Sequence, residues 1–137
     1  MERSRYRQAS VLALLLLSAP AAALTVESYR EMKTQLSSTD VMDANIARLT
    51  LAGYTQGAAD ALAVQRGGEN RRIPVSPGVS ICLPPSVVLS ADLVKAALDQ
   101  ELDGHAELWS APHWQKAYAT NLAMIGLARM FPCDEAR

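Results

Sequence analysis

From Asp40 to Gln65 the chain runs without a proline, and near the middle of that run Gly53 and Gly57 stand about one helical turn apart. The stretch reads as a single helix. A glycine inside a helix costs about 0.5–1 kcal/mol relative to alanine. Two glycines at this spacing share a face, which Ala61 continues a turn later. The spacing predicts a groove without side chains, against which another helix packs closely. The same residues also fit a contact between copies of the chain, or close approach of a ligand. In membranes this spacing pairs spanning helices, but Asp43, Asn45, Arg48, Gln56 and Asp60 exclude a bilayer span here. The expected inward stripe is Met42, Ile46, Leu49, Gly53 and Ala61, with Leu62 beside it. Tyr54 borders the stripe and is expected to be buried with its hydroxyl hydrogen-bonded.

The N-terminus has a different logic. Arg3, Arg5 and Arg7 precede an apolar run from Val11 to Leu17, and small residues follow through Ala21-Ala22-Ala23. These are the parts of a secretory signal peptide, with cleavage expected after Ala23. The apolar run is too short for a bilayer span. Removing residues 1–23 from the 137 leaves 114, enough for one domain with a modest core. Of 13 basic and 14 acidic side chains, Arg3, Arg5, Arg7 and Glu2 are lost, leaving 10 and 13. A net negative charge in an exported chain argues against nucleic acid as a partner.

Both cysteines, Cys82 and Cys133, lie in the mature part. An even count in an oxidising compartment predicts a disulfide between them. Closing a loop of that length stabilises the fold by roughly 4 kcal/mol in the chain-entropy account.

Three further helices are expected. Thr25 to Leu36 carries Val26, Tyr29, Met32 and Leu36 at helical spacing, with Thr25 as cap. Ser90 caps a helix from Ala91 to about Asp103, which Gly104 stops. Ser110-Ala111-Pro112 opens a last helix running to Met130, with Trp114, Tyr118, Leu122, Ile125 and Met130 inward and Gly126 allowing close approach. Arg66 to Gly78 reads as a loop of about a dozen residues, and Val79 to Pro85 as an extended segment. No strand signal stands out. The expected fold is therefore all-α: a small bundle of about four helices with one disulfide, in a single domain over residues 24–137.

Searching the chain for chemistry nominates no catalytic residue, cofactor or metal. His105 and His113 lack a third ligand at a suitable spacing. Asp99, Glu101, Asp103 and Glu107 read as the solvated end of a helix rather than as an acid/base pair. Gly67-Gly68 lacks the lysine and following helix of a phosphate-binding loop.

Several segments together resemble the Tai family, the immunity proteins that protect bacteria against amidase toxins delivered by type VI secretion. The segments are Gly53-Tyr54-x-x-Gly57-x-x-Asp60-Ala61, Ile81-Cys82-Leu83-Pro84, the apolar helix bearing Leu93, Val94 and Leu98, and Phe131-Pro132-Cys133. The resemblance spans about Asp40 to Cys133. One departure is Leu51, where family members often carry a further cysteine whose partner, in the first helix, is also missing here. The resemblance implies a periplasmic homodimer that blocks a secreted peptidoglycan amidase without chemistry of its own. The alternative is a periplasmic structural or chaperone-like helical protein with no toxin partner. Two segments offer themselves for toxin contact: the 66–78 loop with Arg66, Arg71 and Arg72, and the 104–112 connection with His105 and Trp109. Arginine and tryptophan are enriched among residues that dominate binding. Trp109 reads equally well as a cap over the ends of the third and fourth helices.

Overall fold

The structure, a computed structural model, describes residues 23–66 and 72–133. The expected signal peptide, apart from Ala23, lies outside the described residues, as does Arg71. Helix α1 (Val26–Gln35) leads into the long α2 (Val41–Gln65), then strands β1 (Arg72–Ser76) and β2 (Val79–Cys82), and helix α3 (Ala91–Gly104). Two single-turn helices, α4 (Ala106–Trp109) and α5 (Pro112–Gln115), precede α6 (Ala119–Met130). The fold is mostly helical but not purely so, because β1 and β2 pair as an antiparallel hairpin. Among the described residues no helix is long and apolar enough to cross a membrane.

Three helix starts are capped, those at Thr25 and Ser90 as the sequence predicts. The Thr25 hydroxyl accepts from the Ser28 amide at 3.2 Å, Asp40 accepts from the amides of Met42 and Asp43, and the Ser90 hydroxyl accepts from Leu93 at 3.2 Å. Each contact satisfies an amide that the first helical turn leaves free.

The core is centred on α3 and α6. Val94, Ala97, Leu98 and Leu102 pack against Ala119, Leu122, Ala123 and Leu127, all buried. The two backbones meet at Gly126, where a Cβ would stand 2.3 Å from the Ala97 carbonyl oxygen. Helix α2 joins through Leu51, Ala58, Ala59 and Leu62, and α1 through Val26 and Tyr29.

The expected inward stripe of α2 is overturned. Met42, Ile46 and Leu49 are 67, 50 and 73% exposed, and Gly53, Gly57 and Ala61 are also exposed. Among the described residues no heavy atom lies within 4 Å of a Cβ placed on Gly53 or Gly57. The inward side is instead the row of Ala44, Ala47, Leu51, Thr55, Ala58 and Leu62. Its small side chains let α1 and α3 approach, and Thr55 satisfies its hydroxyl on the Leu51 carbonyl at 2.9 Å.

The single last helix is corrected too. At Lys116–Tyr118 the backbone turns aside to pair with the start of α1. Val26 donates to the Ala117 carbonyl at 2.9 Å, Ala119 donates to the Leu24 carbonyl at 2.8 Å, and Thr25 bridges Tyr118. The pairing holds Tyr118 in extended backbone, φ −73 and ψ 132, so α6 begins only at Ala119. Tyr118, expected inward, is 52% exposed.

The hairpin is the other departure from an all-α reading. Ile73 lies opposite Ile81 and both are fully buried, while Pro77-Gly78 makes the turn with Gly78 at φ +78. A proline followed by a residue with positive φ is the pattern of a type II turn. Burying the two isoleucines contributes about 1.5–3 kcal/mol each. The Cys82 amide donates to the Phe131 carbonyl at 2.9 Å, and Cys82 is disulfide-bonded to Cys133. The hairpin is thereby fastened to the end of α6.

Candidate functional site

Two carboxylates on α3 stand out, Asp99 half-buried and Glu101 buried, and neither is where the charge-run reading places it. Asp99 sits between α1 and α3, accepting from the Tyr29 hydroxyl at 2.9 Å and from Lys33 at 2.8 Å on one oxygen, and from Lys95 at 2.5 Å on the other. Partial burial pushes the Asp99 carboxyl up, but the hydrogen bonds from Lys33, Lys95 and Tyr29 outweigh it and hold the group below the ordinary carboxylate value. Tyr29 moves the opposite way. Its own burial, and then the Asp99 carboxylate it donates to, push the phenol well above its usual range. The cluster ties α1 to α3 and leaves no free acid or base.

Glu101 is 2% exposed. It accepts from the Trp109 indole at 3.2 Å and pairs with Arg129 of α6 at 3.5 Å. Arg129 in turn meets the His105 ring. Trp109 is thus buried at 3% exposure, edge-on to Trp114 with ring centroids 5.1 Å apart. Its carbonyl accepts from Gln115 at 2.8 Å and Arg30 at 3.3 Å. As a toxin anchor Trp109 is therefore corrected: it caps the junction of α3, α4 and α6, with a buried carboxylate satisfying its N–H. The sequence hides this because Glu101 lies on the preceding helix, and only the α3–α4 turn brings the two together. His105 remains exposed at that turn. His113 lies on α5 beside Trp114, and among the described residues no group of three or more His, Cys, Asp or Glu gathers as a metal site.

The other candidate segment divides into a fixed and a presented part. Arg66 ends α2 and donates to the Val87 carbonyl at 3.3 Å, a structural contact. Arg72 opens β1 and is exposed, as are Ser76, Pro77, Gly78 and Val79 at the hairpin tip. The hairpin's inner side is held by Ile73, Ile81 and the disulfide, so residues 72–79 form a paired hairpin with an exposed turn rather than the loop expected from the sequence. Beside its base an open groove of about 490 Å³ is lined by Arg72, Val79, Ser80, Ala128, Pro132 and Cys133 among others. The signal that could have revealed the hairpin is Pro77-Gly78 flanked by the alternating Ile73, Val75 and Val79, Ile81.

Within the helix motif, Tyr54 is half-buried and hydrogen-bonded to the Thr120 hydroxyl at 2.5 Å, close to expectation. Burial raises its phenol pKa, against the effect of that hydrogen bond. Asp60 is exposed and accepts from Gln56 at 2.8 Å. Among the described residues Gly53 and Gly57 meet no neighbour. No family model, curated protein or solved structure matches this chain.

Proposed function

We propose that the chain is a periplasmic immunity protein, a non-enzymatic inhibitor that binds a type VI secreted peptidoglycan amidase and closes its cleft sterically. The observation that carries this reading is the hairpin: a narrow, exposed tip at Ser76–Val79 fastened to the helical body by two buried isoleucines and a disulfide. A projection already rigid loses little conformational freedom when it enters a cleft. Arg72 adds a guanidinium at its base, suited to a carboxylate on the partner. Arg71, adjacent in sequence, adds a second basic side chain to the same segment and helps steer association. The half-buried Asp99 and the buried Glu101 are both engaged by structural partners, which favours binding over chemistry as the working mode. The sequence resemblance to Tai immunity proteins supplies the class of partner.

The second reading, a structural or chaperone-like envelope module, draws on the outward apolar face of α2. A titration separates the two. Adding the exported, oxidised protein to a type VI secreted peptidoglycan amidase should abolish peptidoglycan cleavage at equimolar ratio. Arg72→Glu and Val79→Asp should each weaken inhibition at least about tenfold, with circular dichroism unchanged. An amidase that neither binds nor slows would remove the inhibitor reading.

A further inference from the structure

Between the end of α1, the middle of α2 and the start of α3 the body leaves an open recess of about 420 Å³. It shares no residue with the groove beside the hairpin. Its lining is mostly apolar, with Leu36, Leu51, Ala52 and Ala91 contributed by three different helices. Thr55 adds no free donor, because its hydroxyl donates to the Leu51 carbonyl of its own helix. Ala52 is exposed, and its methyl group leaves open a space that a larger side chain would fill.

The rim is cationic. Arg48 brings a guanidinium from α2, and its side-chain partner is the neutral Asn45 amide oxygen at 2.6 Å. Lys95 brings an ammonium from α3. It donates to one Asp99 oxygen at 2.5 Å, but the other oxygen already accepts from Lys33 and from the Tyr29 hydroxyl. Two ammoniums thus share one carboxylate, and Asp99 keeps two partners if Lys95 turns away. Asp92, exposed on the rim, offsets one of the positive charges. The recess is left net positive in a chain whose formal charge is −1.

We propose that this recess binds a small amphipathic carboxylate, with its apolar chain on Leu51 and Ala52 and its head group between Arg48 and Lys95. An apolar cavity of a few hundred Å³ with a few converging polar groups is the general form of a small-molecule site. Covering the apolar floor supplies affinity without direction. The head group is then selected by charge: a guanidinium fork matches the two oxygens of a carboxylate, and charge-assisted bonds are the stronger kind. A neutral head forgoes those bonds, and a cationic head meets two like charges. Because α2 and α3 both contribute, the ligand binds the assembled body and not the unfolded chain, so it stabilises the fold by mass action.

One eight-carbon chain with three head groups tests this. The exported, oxidised protein is titrated with octanoate, 1-octanol and octylamine, and amide chemical shifts and thermal melts are recorded. Octanoate should saturate, shift the amides of residues 48–56 and 91–95 first, and raise the melting temperature. The alcohol and the amine should each bind at least about fivefold more weakly. Ala52→Trp, which fills the recess, and Arg48→Glu, which reverses its charge, should each weaken octanoate at least about fivefold. Both positions are exposed, so helical circular dichroism should persist. Should Ala52→Trp unfold, Arg48→Glu carries the test alone, since it should also narrow the preference for octanoate over octylamine. No saturation below the micelle range, shifts centred on other residues, equal binding of octylamine, or wild-type binding by the folded variants would overturn the proposal. So would loss of amidase inhibition by Ala52→Trp in a protein that takes up no octanoate, since the recess would then receive a side chain of the toxin.

Discussion

At Gly126 the geometry leaves no room for even a methyl group. A Cβ there would stand 2.3 Å from the Ala97 carbonyl oxygen and 2.9 Å from its carbonyl carbon, backbone atoms that cannot rotate away. Gly126→Ala should force α3 and α6 apart and destabilise the protein by about 1–3 kcal/mol, read as a lower urea midpoint. An unchanged midpoint would mean that the helices are less closely packed than this. The sequence identified this glycine correctly and misjudged Gly53 and Gly57 by the same reasoning. Spacing can say that a backbone needs an open side, but not which neighbour, or which chain, fills it. Asp99 shows another limit of sequence. Its partners Tyr29 and Lys33 lie on a different helix, far off in the chain. Its folded pKa is depressed, so its stabilising contribution is complete above the unfolded value of about 3.9 and fades as pH falls through the lower folded one. Thermal melts should therefore show the wild type losing its advantage over Asp99→Asn as the pH drops below about 4. A constant difference across that range would remove Asp99 from the acid response.

Among the elements, those whose apolar residues point one way were legible. Helices α1 and α3 have capped starts and one apolar face, and both form within about one residue of the expected limits. Helix α2 was placed correctly but oriented wrongly. Its larger side chains, Met42, Ile46 and Leu49, suggested an inward stripe, whereas alanines at Ala44, Ala47, Ala58 and Ala59 make the actual packing surface. Size misled because a helix lying close to two neighbours needs small residues where they meet. The last expected helix was broken by backbone pairing with Leu24 and Val26, residues at the other end of the described chain. The hairpin escaped because the 66–78 stretch was read whole as a loop: Pro74 interrupts its short strand pattern, and the Pro77-Gly78 turn was not recognised. Since β2 is held to α6 through Cys82–Cys133, replacing both cysteines with serine should cost about 2–4 kcal/mol of stability in urea. Helical circular dichroism should persist, because the α3–α6 core does not depend on the link. Loss of the helical signal would show that the disulfide supports the whole body.

For the molecule as a whole, the helical body serves as a base that orients two surfaces of different chemistry. One is the narrow hairpin with Arg72, the other the flat apolar side of α2. The body's buried polar groups are spent on holding it together, with Asp99 joining α1 to α3 and Glu101 joining α3, Trp109 and Arg129. In the proposed role such a molecule would act by occupying space, and its potency should follow the order of its hairpin edge. The measurement that bears on this is an inhibition titration of the secreted amidase with two forms of the protein, oxidised and carrying serine at both cysteine positions. The account predicts equimolar inhibition by the oxidised form. The serine form, with its helices intact, should need at least about tenfold more protein, because its tip must be ordered on binding. Equal inhibition by both forms would detach the activity from the stapled hairpin, and inhibition by neither would contradict the assignment of an amidase partner.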